Sequence, residues 1–424
     1  MNSSDAEEVL LVGRRLKRLR EELSDEGVQL IESAFWDDAK LDDAKAVTLE
    51  RNLLDEVMHA RYPPVHEGRR PSYGALLLPT LHIEADAFDG IAELVEIDGN
   101  VSLSRARSLS NGRTSFLVRS LDQSLALAEI SSGEEITLVE RLPKLGALAV
   151  QRLANGSVKF FARTHLYVWE NDEWSVKPYA HLEISDLVDL VQRGSTKVGG
   201  ALLDISLHLL SARHIGATLV WLLDGQSSDL VERFSRQGES PGAELNVVHF
   251  SHAEILATVL ASVDGACVIE QDGTVAIVEV HLGNSARSME VISPEHGTRH
   301  TSAKRFSFDE NRVLVFVVSQ DGPVTVFSDG MSLLELGGIG AFRASVVAHN
   351  PSQAAEVSCE LTELTCSRCM KALACEVTTF EGWNEVESVS CPICGEPNLA
   401  TYVGVDARVI PVKPWGGPPG YRGD

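Results

Sequence analysis

Apolar positions change period several times along this chain. Over residues 6–24, Val9, Val12, Leu16, Leu19 and Leu23 recur at steps of three and four, with Arg and Glu between them. This predicts an amphipathic helix. It packs on its own domain or forms a short dimeric coiled coil, although under three heptads is thin support for the latter. A second helix is predicted over "AKAVTLERNLLDEVMHAR", and "YPPVHEGRRPSYG" then ends the pattern with prolines and glycines.

From about 73 to 180 the period shortens. "YGALLLPTLHI", "AELVEIDGNVSL", "TSFLVRSL", "EITLVERL", "GALAVQRL", "GSVKFFAR" and "HLYVWE" are short apolar or alternating runs, and each is read as a strand. The Asn-Gly pair in "LANGSVKF" marks a hairpin. The similar openings "GALLL", "GALAV" and "GATLV" are read as three independent strand starts. No catalytic constellation falls in this stretch, so a structural or sensory module is the expectation.

Beyond about 184 the two periods interleave. "ISDLVDLVQR" and "GGALLDISLHLLSARH" are helix-like, "IGATLVWLLDG" reads as a buried strand, "DLVERFSRQ" as a short helix and "LNVVHF" as a strand. "SHAEILATVLASV" is read as a helix opened by Ser251, with Glu254 completing a capping box. "DGACVIEQDGTVAIVEVHL" gives strand, turn, strand, and "RVLVFVVS" and "VTVFSDG" give two more strands. The fold class is α/β, with a mixed β-sheet flanked by helices. A β-rich N-terminal domain precedes it and a small cysteine module follows. The expected boundaries are a helical segment at 1–65, a β-rich sensor or regulatory domain at 66–183, an α/β domain at 184–345, a cysteine module at 356–410 and a disordered tail at 411–424, with "AHNPSQAAEVS" as linker.

Composition narrows the function classes. The chain has 424 residues and a formal charge of −24. It repels phosphate backbones on average, which disfavours whole-surface nucleic-acid binding and leaves only a local route through the cysteine module. No apolar run nears the roughly 18 residues of a membrane span, and the N-terminus lacks a signal-peptide pattern. A cytoplasmic protein is the expectation.

Of seven cysteines, Cys366, Cys369, Cys375, Cys391 and Cys394 cluster near the C-terminus, with Cys359 just upstream. Cys366-x2-Cys369 and Cys391-x2-Cys394 have the spacing that lets four thiolates surround one Zn²⁺. All four positions are filled, so a structural zinc ribbon is expected. Cys359 and Cys375 are read as small core residues, with a substitute ligand role as the alternative. Nucleic-acid binding, protein docking and capping of the domain all fit such a ribbon.

A second constellation is spread over two motifs. "VDGA", Val263–Ala266, puts the Asp264 carboxylate beside the unshielded backbone of Gly265 and Ala266. "HGTRHTSA", His296–Ala303, gathers a guanidinium, an imidazole, hydroxyls and a glycine amide without an acid. That donor set suits a polyphosphate. Each half alone is undiagnostic, since Asp-Gly is a common turn and Arg-His a common solvated loop. There is no Walker A motif and no dinucleotide fingerprint, and Ser302 lacks a nucleophile-elbow context.

Taken together, "DGACVIEQDGTVAIVEVHL", "HGTRHTSA" and "RVLVFVVSQDG", in this order, resemble the diadenylate cyclase domain family over residues 190–335. The resemblance implies ATP as substrate and a homodimer or higher homo-oligomer, in which two domains face each other. Each 3′-hydroxyl attacks the other ATP's α-phosphate, giving cyclic di-AMP and two pyrophosphates with Mg²⁺ or Mn²⁺. It implies that Asp264 meets the 3′-hydroxyl and the cation, and that Gly265, Ala266 and Leu282 line the nucleotide. Gly297, Thr298, Arg299, His300, Thr301, Ser302 and Ser319 would hold the triphosphate, with Arg299 and His300 counted among the catalytic groups. Asp321 is the other candidate cation ligand. Two departures stand out. Thr301 occupies the place of a family Arg, and Gln320 that of an acid; Lys304 and Arg305 are the candidate compensating charges. The alternatives are a nucleotide-binding sensor of weak or no activity, and an adaptor working through the ribbon.

Overall fold

The computed structural model describes residues 43–411 apart from 65–69, 79–90, 163–164, 172, 181–182, 185–186, 189–192, 224–227, 295–296, 321, 337–357, 380–385, 398 and 404–405. The expected helix at 6–24, the linker, the C-terminal tail and Asp321 lie outside the described residues. The chain divides into two compact units, one ending at Tyr179 and one beginning at Ala180.

In the first unit, α1 (Asp43–Arg61) is followed by β1 (Tyr73–Leu78), β2 (Ile91–Glu96), α2 (Leu103–Arg107), β3 (Ser115–Ser120), β4 (Leu125–Ile130), α3 (Glu135–Leu145), β5 (Leu148–Arg152), β6 (Val158–Phe161), β7 (His165–Glu170) and β8 (Glu173–Pro178). The strands form one eight-stranded sheet in the order β2-β4-β3-β1-β5-β6-β7-β8, in which only β1 and β3 run parallel. Both faces are buried. Ala75 and Leu77 join Leu49, Leu53 and Val57 of α1, whereas Leu76 and Leu78 join Leu138, Val139 and Leu142 of α3. The alternation along β1 thus serves two cores.

"EITLVERL" is a helix, not the strand its short apolar run suggested. Ile136, Leu138, Val139 and Leu142 lie on one buried side of α3, and Gly146, at φ 55°, ends the helix in the left-handed region. "AELVEIDGNVSL" likewise supplies only β2 and the first residue of α2. The hairpin at Asn155-Gly156 is present, with Arg152 opposite Val158.

Two groups of buried charge inside this unit are paired. Glu56, wholly buried, accepts from Arg107 (3.0 Å) and from Arg119 and Tyr73. Asp55 accepts from the same two arginines at 2.6 and 2.9 Å, and Arg119 also donates to Asn52 at 2.7 Å. Toward the other core, buried Glu135 lies 2.5 Å from Lys159 and 3.2 Å from Lys177.

The second unit contains α4 (Thr196–Asp204), which continues through a π-helical turn, Ile205–Leu210, to a left-handed stop at His214. β9 (Ala217–Leu222), α5 (Ser228–Ser235), α6 (Phe250–Ser262), β10 (Ala266–Ile269), β11 (Val275–Val280), α7 (Ala286–Val291), α8 (Thr298–Asp309), β12 (Val313–Val318), β13 (Val324–Ser328) and β14 (Met331–Leu336) follow. The sheet order is β11-β10-β9-β12-β13-β14; β9 and β10 are parallel and the rest antiparallel, giving the expected mixed α/β sheet.

Two local readings are corrected. "LNVVHF" is a loop. Its Val248 N–H bonds the Asn246 side chain at 3.0 Å, and Asn246 makes only an isolated bridge to Thr274. Helix α6 starts at Phe250 with His249 as cap and no side-chain cap bond, so Ser251 and Glu254 form no capping box. Glu254 pairs instead with Arg213 at 2.8 Å.

The cysteine module has a three-stranded sheet, β15 (Ser358–Thr365), β16 (Ala372–Thr379) and β19 (Asp406–Pro411), and a hairpin, β17 (Val386–Val389) with β18 (Ala400–Val403). Each C-x2-C knuckle occupies a hairpin turn. Among the described residues no helix is long and apolar enough to cross a membrane.

Candidate nucleotide site and metal centre

Strand register brings the separated motifs to one end of the α/β sheet. Ala266, first in β10, lies opposite both Thr218 of β9 and Val280, last in β11. Val318, last in β12, lies opposite Ala217 of β9. The residues just outside these strands therefore share that edge. They are Gly216, Asp264 with Gly265, Leu282 and Ser319.

Asp264 is exposed at the turn from α6 into β10, and its Oδ1 accepts the Gly265 N–H at 2.9 Å. Gly265 has φ 101°, and a Cβ there would stand 2.9 Å from the Glu279 carbonyl carbon and the Val280 oxygen. Only glycine fits this conformation and spacing. Opposite, β11 is bulged and Glu279 sits at φ 60°. Ala266 is buried, and Leu282 is half-buried against the core of the sheet.

"GTRHTSA" opens helix α8. Gly297 is the cap, at φ 99° and without a side-chain bond, so the first amide donors of the helix are not capped by it. Such a terminus favours anions. Thr298 is exposed, and Arg299 and His300 are half-buried. The His300 ring meets Phe327 edge-on at 6.1 Å. The Thr301 hydroxyl donates back to the Gly297 carbonyl at 3.0 Å and the Ser302 hydroxyl to the Arg299 carbonyl at 3.1 Å. Lys304 is buried, and Arg305 donates to the Ile292 carbonyl at 3.2 Å.

Arg299 ties α8 to the strand edge. A Cβ on Gly216 would stand 2.7 Å from Arg299 Nη1 and 2.8 Å from Gln320 Cγ, so the guanidinium rests on a spot kept bare. His214 Nδ1 lies 3.1 Å from the Gln320 carbonyl, and the Ser211 hydroxyl donates to the Gly322 carbonyl at 2.5 Å. These bonds fasten the end of the α4 segment to the loop after Ser319, whose N–H bonds Pro323 at 2.8 Å. Sequence reasoning gave Gly216 and His214 no role, and it noted Gln320 only as standing where the family has an acid. "GATLV" was read as a strand start, without a site residue in it.

The four-cysteine cluster is a second candidate site, distinct from the strand edge. The sulfurs of Cys366, Cys369, Cys391 and Cys394 all lie within 4.8 Å of one another and are buried. Cys366 and Cys394 are 3.6 Å apart, Cys369 and Cys391 3.8 Å. Tetrahedral Zn–S bonds of about 2.3 Å place sulfurs about 3.8 Å apart, so these two separations suit zinc. Burial opposes the Cys366 thiolate, but backbone N–H groups of Cys369 and Arg368 outweigh it and bring the thiol down to about 7. Cys375 is buried in β16 outside this set. Among the described residues, Asp264 joins no comparable ligand group.

Comparison with known families agrees with this layout. Residues 204–332 match the family described as DisA bacterial checkpoint controller nucleotide-binding. Residues 17–178 match the one described as Probable sensor domain DACNK. No curated protein matches the chain significantly. The chain thus carries a nucleotide-binding domain of the diadenylate cyclase type at 204–332, behind a DACNK-type sensor domain at 17–178.

Proposed function

We propose that the chain is a diadenylate cyclase that joins two ATP molecules into cyclic di-AMP. The observation that carries this reading is the common strand edge. There an exposed carboxylate, the side-chain-free backbone of Gly265 and an arginine at an uncapped helix start stand together. The reaction asks for positioning and charge neutralisation more than covalent help. Arg299 and the first amides of α8 bind the triphosphate, with Thr298, His300, Thr301, Ser302 and Ser319 around it. Gly265, Ala266 and Leu282 line the nucleoside. Asp264 accepts the hydrogen bond of the 3′-hydroxyl and draws off its proton as the oxygen bonds to the α-phosphorus of the ATP held by a second domain. The bond to pyrophosphate breaks in the same step, and the mirror-image event closes the ring. Asp264, with Asp321 and phosphate oxygens, would hold Mg²⁺ or Mn²⁺, which when bound would supply charge neutralisation at the phosphates. The protein therefore works as a homodimer or larger homo-oligomer.

Incubation of the purified chain with ATP and Mg²⁺ or Mn²⁺, followed by mass spectrometry of the products, tests the reading. Cyclic di-AMP from the wild type and none from Asp264→Asn is expected. Absence of product at every metal and protein concentration overturns it. A nucleotide-binding sensor without turnover is the second reading. Thr301 favours it, because its hydroxyl is turned into its own helix where a cation is expected. So does the burial of Lys304 and the bond of Arg305 to Ile292, which leave neither as an evident replacement.

A further inference from the structure

The ribbon does not stand apart from the α/β sheet. Cys366, Cys369, Leu373, Cys391, Ile393 and Cys394 share one apolar cluster with Val291, Ile292, Phe308 and Met331. Those last four belong to α7, the residue after it, α8 and β14. Polar contacts pin the same interface. Lys371 pairs with Asp329 in the turn between β13 and β14, and Arg287 of α7 donates to the Cys369 carbonyl at 3.2 Å. Phe308 has two cations at its ring, Lys371 Nζ at 4.7 Å and Arg287 Cζ at 5.9 Å.

The joint has no slack. Gly330 N–H donates to the Ser307 hydroxyl at 3.1 Å. A Cβ on Gly330 would reach 2.9 Å from Phe308 and 3.2 Å from Ile393. Helix, turn and ribbon therefore meet at van der Waals distance around a residue with no side chain.

We infer that the four-cysteine ribbon is a positioning element of the nucleotide site, so that metal occupancy of the ribbon sets how well α8 presents Arg299 to a nucleotide. The inference rests on the reading of Asp264–Ala266 and Gly297–Ser302 as a nucleotide site. Helix α8 is held mainly through its later residues: Ala303, Lys304, Phe306, Ser307 and Phe308 are buried, whereas its first turn starts at a glycine cap without a side-chain bond. Arg299 and Phe308 are about 13 Å apart along the axis at 1.5 Å per residue. A tilt of about 10° pivoting at Phe308 would move Arg299 by roughly 2 Å, and displacements of about 1 Å already matter to reacting groups. The ribbon is a small module in which four buried thiols share the centre with Leu373 and Ile393, so its fold depends on the metal. Loss of the metal frees Ile393 and Lys371 from Phe308 and the turn, and α8 loses the brace at its far end.

The test uses the full chain and 3′-deoxy-ATP, which binds but has no attacking hydroxyl. Its Kd is measured on zinc-loaded protein and on protein stripped with a zinc-selective chelator, with Mg²⁺ in excess. Stripping is expected to weaken binding about fivefold or more. Coupling between two sites is reciprocal, so saturating 3′-deoxy-ATP must raise zinc affinity by the same factor in a chelator competition. Lys371→Met leaves the four ligands intact. It is expected to keep its zinc yet lose most of the coupling, an effect that a fold-only role for zinc would not produce. Equal nucleotide affinity with and without zinc, and zinc affinity indifferent to nucleotide, would overturn the inference while leaving the nucleotide site standing. Failure of the loaded wild type to bind 3′-deoxy-ATP overturns both.

Discussion

Adding one methyl group at Gly216 should separate folding from nucleotide binding. The new Cβ would lie 2.7 Å from Arg299 Nη1 and 2.8 Å from Gln320 Cγ. Non-bonded heavy atoms rest at about 3.5–4.0 Å, so the guanidinium must retreat by roughly 1 Å. Both clashing atoms belong to side chains and neither to backbone, and stability should change by no more than about 0.5 kcal/mol. Binding should suffer more. A hydrogen bond to a charged group contributes about 1.5–3 kcal/mol, and a shift of 1 Å is enough to forfeit most of it. Gly216→Ala should therefore weaken ATP binding about 10- to 100-fold with an unchanged Tm. Isothermal titration of Gly216→Ala, Arg299→Ala and the double variant gives a thermodynamic cycle. Because both substitutions disturb one contact, the double variant should bind no worse than Arg299→Ala alone. Binding of Gly216→Ala within twofold of the wild type would refute the placement of Arg299 as the grip. Additive penalties would show that residue 216 acts by another route.

Three further outcomes are expected. Gly265→Ala puts a methyl group 2.9 Å from two backbone atoms at φ 101°, which should cost about 2–4 kcal/mol and show as a lowered denaturant midpoint. Glu56→Gln leaves Arg107 and Arg119 short of a buried countercharge and should cost about 3–5 kcal/mol; calorimetry checks this. His59 is held neutral, from an ordinary value of 6.5 down to about 4, by burial first and the Arg107 charge second. Below pH 6.5 the unfolded chain takes a proton that the folded chain refuses until about 4, so this contribution to stability is complete above that window and lost as pH falls through it. The slope of Tm against pH in this window should flatten in His59→Phe.

How far the sequence spoke for itself varied with the range of the interactions. Alternating runs such as "YGALLL" announced their strands because each face packs on a different apolar layer. "EITLVERL" misled because Ile136 and Leu138 alternate over too short a window to reveal the helical step to Val139 and Leu142. The expected capping box at Ser251 gave way to a long-range competitor, since Arg213 takes Glu254. The four-cysteine cluster was legible from spacing because each knuckle is a local turn. The contact between Gly216 and Arg299 was not, because only the pairing of β9 with β12 and the docking of α8 bring them together. That the ribbon packs on α8 was hidden for the same reason.

The order of strands in the second sheet also bears on how the protein comes into being. Its one parallel pair is β9 and β10, so their first residues meet only across about fifty intervening residues, and β12 joins from about as far again. Pairings of such separation form slowly, because chain entropy is lost before contacts repay it. The strand edge that carries Asp264, Gly216 and Ser319 is thus a late product of folding. It needs β9, β10, β11 and β12 all in register, so none of these strands alone carries it.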